Sequence, residues 1–82
     1  MKDQEIAAKV EEYIKEKHGD SMPSDFNYTT KLISSGIVDS ISVLQLVDFL
    51  EQDFNIEFQP HEVDHDNLNT IDKIVEFVKS KS

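Results

Sequence analysis

The 82 residues contain no cysteine and no arginine, and nowhere do 18 apolar residues run together. Without cysteine there is no disulfide framework, no thiolate zinc site and no thiol chemistry from the side chains themselves. The missing apolar run removes a membrane-spanning helix. The opening MKDQEIAAKVEEYIKEK carries too many charges for the apolar stretch of a signal peptide, so a cytoplasmic location is expected. So short a chain has no room for a second core or a cleft between two lobes, which leaves one domain over 1–82 and excludes a large multi-domain enzyme. Eight Lys against 17 Asp and Glu give a net charge of -9, the wrong sign for gripping phosphate backbones or anionic lipid. Neither nucleic acid nor membrane insertion is expected.

What is present is an ordinary globular balance, 38% hydrophobic and 30% charged, enough to fold. The charge is unevenly placed. From Leu32 to Asp72 there is no lysine, yet the segment holds Asp39, Asp48, Glu51, Asp53, Glu57, Glu62, Asp64, Asp66 and Asp72. The flanking residues balance to zero, so the whole negative charge belongs to the middle. It serves either as a solvating face or as a surface that steers toward basic patches on other proteins.

Ile6, Val10, Tyr13 and Ile14 recur at helical spacing and predict a helix over roughly 3–17, with Gly19 as its stop. From Asp20 to Gly36 the rhythm breaks around Pro23, a long loop that Phe26, Leu32, Ile33 and Ile37 are expected to pin to the core. From Ser40 to Phe54 the pattern is helical again. Val43, Leu46, Val47, Leu50 and Phe54 share a stripe about 100° wide that reads as buried. Ser40, Ile41, Leu44, Asp48 and Glu51 fall outside it, which leaves two aliphatic side chains in water beside a serine at the first turn. Phe54–Phe58 reads as an extended connector and Pro60 as the start of one short helix to about Asp64. Asn69 or Thr70 then caps a last helix whose Ile71, Ile74, Val75, Phe77 and Val78 share a face. The sum is an all-α fold: a small four-helix bundle of three longer helices and one short one, with a long loop between the first and second.

Three places offer chemistry. His61-Glu62-Val63-Asp64-His65 matches H-E-x-x-H, but a turn and a half of helix cannot place both histidines on one rigid face, so a polar turn is expected and no metal. Asp64-His65-Asp66-Asn67 lacks the central Gly and terminal Glu of a calcium loop. Outside these three places, Asn27-Tyr28-Thr29 is a sequon that a cytoplasmic chain does not use. Ser40 is the third place. There is no G-x-S-x-G elbow and no histidine near it in sequence, which argues against self-contained hydrolase chemistry. It offers a hydroxyl over unpaired helix N–H groups, where a phosphate ester meets the positive end of the dipole.

Gly36-Ile37-Val38-Asp39-Ser40-Ile41 resembles the G-x-x-D-S-[LIF] signature of acyl carrier proteins. Leu32 before it, Glu51-x-x-Phe54 after it, then Pro60, Thr70-Ile71 and the final helix follow in family order, so the resemblance covers the whole chain. It implies a stand-alone carrier and no enzyme. Ser40 would be esterified by 4'-phosphopantetheine, delivered from coenzyme A by a phosphopantetheinyl transferase that engages Asp39 through Mg²⁺. Cargo would ride as a thioester, loaded by an acyl or aminoacyl ligase and passed to downstream transferases or synthases, with the carrier a monomer. Ile41 and Leu44 would face partners, and Asp48 and Glu51 would pair with cations on the partner's rim.

Relative to fatty-acid-synthesis carriers, Ile41 replaces Leu, Gln45 replaces Glu, Asp48 stands at an apolar position, and His61–Leu68 is about two residues longer. Val63-Asp64-x-Asp66-x-x-x-Thr70 is more similar to discrete D-alanyl or aminoacyl carriers and polyketide-type carriers, which points outside primary fatty-acid synthesis. Phe49, Phe54, Phe58 and Phe77 would crowd the interior against a long acyl chain, or serve only as core. The alternatives are a D-alanyl, aminoacyl or peptidyl carrier, an unmodified acidic helical interaction module, and a carrier fold that is never loaded.

Overall fold

The computed structural model describes residues 2–81. Helix α1 spans Asp3–His18, α2 Ser40–Phe54, α3 His65–Leu68 and α4 Ile71–Lys81; short 3₁₀ turns occupy Gly19–Ser21 and Pro60–Glu62. Among the described residues there is no strand, and no helix is long and apolar enough to cross a membrane. The expected four-helix architecture stands, with one relocation. The short helix lies at His65–Leu68 rather than 60–64, because two caps divide the segment. Gln59 and Glu62 close a capping box around Pro60–Glu62, and Asp64 then accepts from the Asp66 N–H to start α3.

Helix α1 carries Asp3 and Glu5 in its first turn and Lys15, Lys17 and His18 in its last, matching the helix dipole. It buries Ile6, Ala7, Val10 and Ile14 against α4, which contributes Ile71, Ile74, Val75 and Val78. The two run antiparallel, with Lys79 near the end of α4 paired to Asp3 at 3.1 Å. Helix α2 presents Leu46, Val47 and Leu50 to the same core, while Val43 and Phe54, expected in its buried stripe, are only half-buried at its margins. Gly19 continues into the 3₁₀ turn in right-handed geometry, so it marks the end of α1 without the left-handed cap. At the end of α2 it is Asn55 that adopts that geometry, φ 53°.

The long loop is fastened as expected: Leu32, Ile37 and Val38 are buried, and Phe26 and Ile33 pack at the edge. Of Phe49, Phe54, Phe58 and Phe77, only Phe58 is buried. Phe49 stacks on Tyr13 at 4.3 Å and meets Phe54 edge-on, and Phe58 stacks on Phe77 at 4.8 Å. The rings form two flanking clusters around an aliphatic centre.

Candidate functional site

The site begins with the last bonds of the loop. Val38 N–H donates to Leu32 O at 3.0 Å, Gly36 takes φ +87°, and the chain reaches Asp39 in extended geometry. Asp39 is the N-cap of α2: its Oδ1 accepts from Ser42 N–H at 2.8 Å, and its carbonyl accepts from Val43 N–H. Ser42's backbone N–H, then its hydroxyl, and more weakly Ile41 N–H and His18 hold the Asp39 carboxyl below the usual aspartate range. Ser40 is therefore the first residue of a rigid helix, beside a fixed anion. It is exposed, as the sequence pattern requires.

Ser40 opens onto a surface groove of about 450 Å³ formed with apolar Ile33, Val43, Leu44 and Val63 and with polar Asp64 and His65. Val43 escapes full burial because it forms this wall. Ile41 and Leu44 are 72% and 63% exposed. Asp48 is exposed and accepts from Gln52 at 3.1 Å; burial first, and Asp48 second, raise the Tyr13 hydroxyl above its ordinary pKa. Glu51 differs from its neighbours. The connector folds back so that Phe58 N–H donates to Glu51 Oε2 at 2.8 Å, which half-buries the side chain. The structure thus gathers Asp39, Ser40, Ile41, Leu44 and Asp48 on the exposed part of α2 and turns Glu51 toward the connector.

The H-E-x-x-H residues are dispersed. His61 and Glu62 lie in the 3₁₀ turn and His65 starts α3; Glu62 is committed to Gln59 N–H and to Lys81. Lys81 first and Gln59 N–H second hold its carboxyl below the glutamate range. Among the described residues no group of three or more His, Asp or Glu is placed to hold a metal. Asn27 is engaged in its own turn, accepting from the Thr29 N–H and hydroxyl.

Sequence reasoning missed the far wall of the groove. Ile33 was read as a loop anchor, and Asp64 and His65 as a solvated turn, because only tertiary folding brings them to Ser40. The composite fits a flexible ester-linked arm: an accessible alcohol at a helix N-terminus, a fixed carboxylate beside it, and a groove with both apolar and polar walls.

Comparison with curated proteins finds no match to the chain. Comparison with protein families finds one: residues 5–78 match the model described as the phosphopantetheine attachment site. That match spans nearly all of α1 through α4, and the chain belongs to the phosphopantetheine attachment family, whose members carry a covalent 4'-phosphopantetheine and act as carriers rather than catalysts.

Proposed function

We propose that Ser40 is the attachment residue and that the protein is a discrete carrier of acyl or aminoacyl thioesters, cytoplasmic and monomeric, working outside primary fatty-acid synthesis. The observation that carries this reading is the exposed Ser40 at the start of α2, beside the capping Asp39 and open to the groove. Ser40 Oγ bonds to the phosphorus of the phosphopantetheinyl half of coenzyme A. The nucleotide phosphate leaves, and the serine proton passes to the transferase. Asp39 would offer its carboxylate to that enzyme's Mg²⁺; the same capping bonds from Ser42 hold its pKa below the ordinary aspartate range. When bound, the arm supplies the terminal thiol that carries cargo. Tethering then raises the cargo's effective concentration at each partner.

Ile41 and Leu44 supply apolar contact to partners, and Asp48 and Glu51 supply charge at the rim. Glu51 is the half-buried member of this pair, its Oε2 holding Phe58 N–H. Charge speeds encounter, and apolar burial holds it. The partners are a phosphopantetheinyl transferase, a loading ligase and downstream transferases or synthases. A role apart from primary fatty-acid synthesis rests on Gln45, Asp48 and the extended His61–Leu68 stretch.

Because the chain has no cysteine, thiol titration is a direct assay. After incubation with a transferase, Mg²⁺ and coenzyme A, one thiol per chain is expected for the wild type and none for Ser40→Ala. An unmodified interaction module gives none in either.

A further inference from the structure

Asn69 was expected as a possible cap for α4, but Thr70 performs that task, its hydroxyl accepting from Lys73 N–H at 3.1 Å. Asn69 is buried at 9% exposure and spends its polar groups on the distant loop. Its carbonyl accepts from Leu32 N–H, and its side-chain Oδ1 accepts from Ile33 N–H at 2.9 Å and Ser34 N–H at 3.1 Å. Its Nδ2 donates to Ser34 Oγ at 3.0 Å, and that oxygen in turn lies 3.3 Å from His65 Nε2. Three consecutive loop amides are thus satisfied by one residue about 36 positions away.

The location gives this clamp its consequence. Ile33 and His65 line the groove beside Ser40, and Leu32 O holds Val38 N–H immediately before Asp39. Between them Gly36 has φ +87° with open space around it, so no side-chain packing at that position fixes the turn. Buried Leu32, Ile37 and Val38 anchor the clip in the core, and Gly36 N–H to Ile33 O and Val38 N–H to Leu32 O close it on itself; the bonds from Asn69 add the tie between its 32–34 amides and the α3–α4 junction. Isolated loop amides would otherwise turn to water, and the clip would sample other conformations.

We propose that Asn69 is a positioning residue for arm attachment: it fixes the 32–38 clip, and through it the groove wall at Ile33 and the approach to Asp39–Ser40. This rests on Ser40 as the attachment residue. A side chain that only stabilises the fold would alter the folded fraction; a positioning residue alters how well the folded chain is recognised.

Two measurements test it. In the unmodified wild type, hydrogen exchange at Leu32, Ile33 and Ser34 should be as slow as at the buried amides of α4; exchange at the rate of exposed loop amides overturns the proposal. Asn69→Leu keeps the branched shape of the side chain and removes its side-chain hydrogen bonds, whereas Asn69→Asp keeps the acceptor for Ile33 and Ser34. Expected is a rise of roughly tenfold in the transferase KM for folded Asn69→Leu, with kcat nearly unchanged and local exchange accelerated over 32–38, and recovery of most of that loss in Asn69→Asp. Equal KM values for wild type and Asn69→Leu overturn the proposal, as does a loss shared equally by the two variants. A wild-type chain that takes no arm refutes the Ser40 reading, and the positioning role with it, while the exchange measurement separately decides whether Asn69 fixes the clip.

Discussion

At Asp39 one carboxylate caps α2 and, in the proposed function, also faces the transferase's metal, and substitution can separate the two. As a helix cap it needs an oxygen acceptor for Ser42 N–H; as a metal-facing group it needs charge. Asparagine caps about as well as aspartate. Asp39→Asn should therefore keep the thermal midpoint close to wild type while slowing arm attachment on the order of tenfold or more. Asp39→Ala should lower both, and calorimetry beside a loading time course reads the difference. Glu62, bonded to Gln59 N–H and Lys81, shows the corresponding electrostatics. Its folded pKa is lowered, so its contribution to stability is complete above the ordinary glutamate range and is lost as pH falls through the lowered value. Lys81→Met keeps an apolar stem and removes the ammonium that bonds Glu62 and lies over the Phe77 ring. Thermal melts against pH should then show a lower midpoint at neutral pH and a shallower fall on the acid side.

Along α2 the two faces separate the core from the proposed partner surface. Leu50 is fully buried and Leu44 is largely in water, six residues apart on one helix. Leu50→Ala should cost about 2–5 kcal/mol by leaving a cavity, seen as a lower midpoint in denaturant. Leu44→Arg should leave that midpoint within about 0.5 kcal/mol of wild type and instead raise the transferase KM or impair transfer. Normal kinetics in Leu44→Arg would remove Leu44 from the recognition surface. At the loop that feeds α2, a Cβ on Gly36 meets nothing, so Gly36→Ala should cost about 1–2 kcal/mol through φ alone. These faces were legible from hydrophobic spacing, because side chains on one helix have fixed angular positions whatever surrounds it. Position 51 was not: the wheel placed Glu51 outside the buried stripe, yet the connector returns to donate Phe58 N–H, a contact no local pattern encodes. The short helix was misplaced for a related reason, since Pro60 marks a start but the paired caps at Glu62 and Asp64 decide where helix resumes.

For the whole molecule, the order of helices, the pinned loop and the signature around Ser40 could be read from the chain, since each depends on neighbours in sequence. The groove beside Ser40 and the Asn69 clamp join residues about 25 to 36 apart and emerge only on folding. Charge is the other property of the molecule as a whole. With every lysine outside Leu32–Asp72, acids dominate the stretch that bears Ser40, and association with basic partners should be faster at low ionic strength and slow steeply as salt rises. Stopped-flow association with a partner enzyme checks this; a salt-independent rate would remove the steering role. The central claim concerns one of eight serines. Tandem mass spectrometry of the chain after incubation with transferase and coenzyme A should find a single phosphopantetheine, on Ser40. An unmodified chain, or a modification on neighbouring Ser42 or any other serine, would contradict the account.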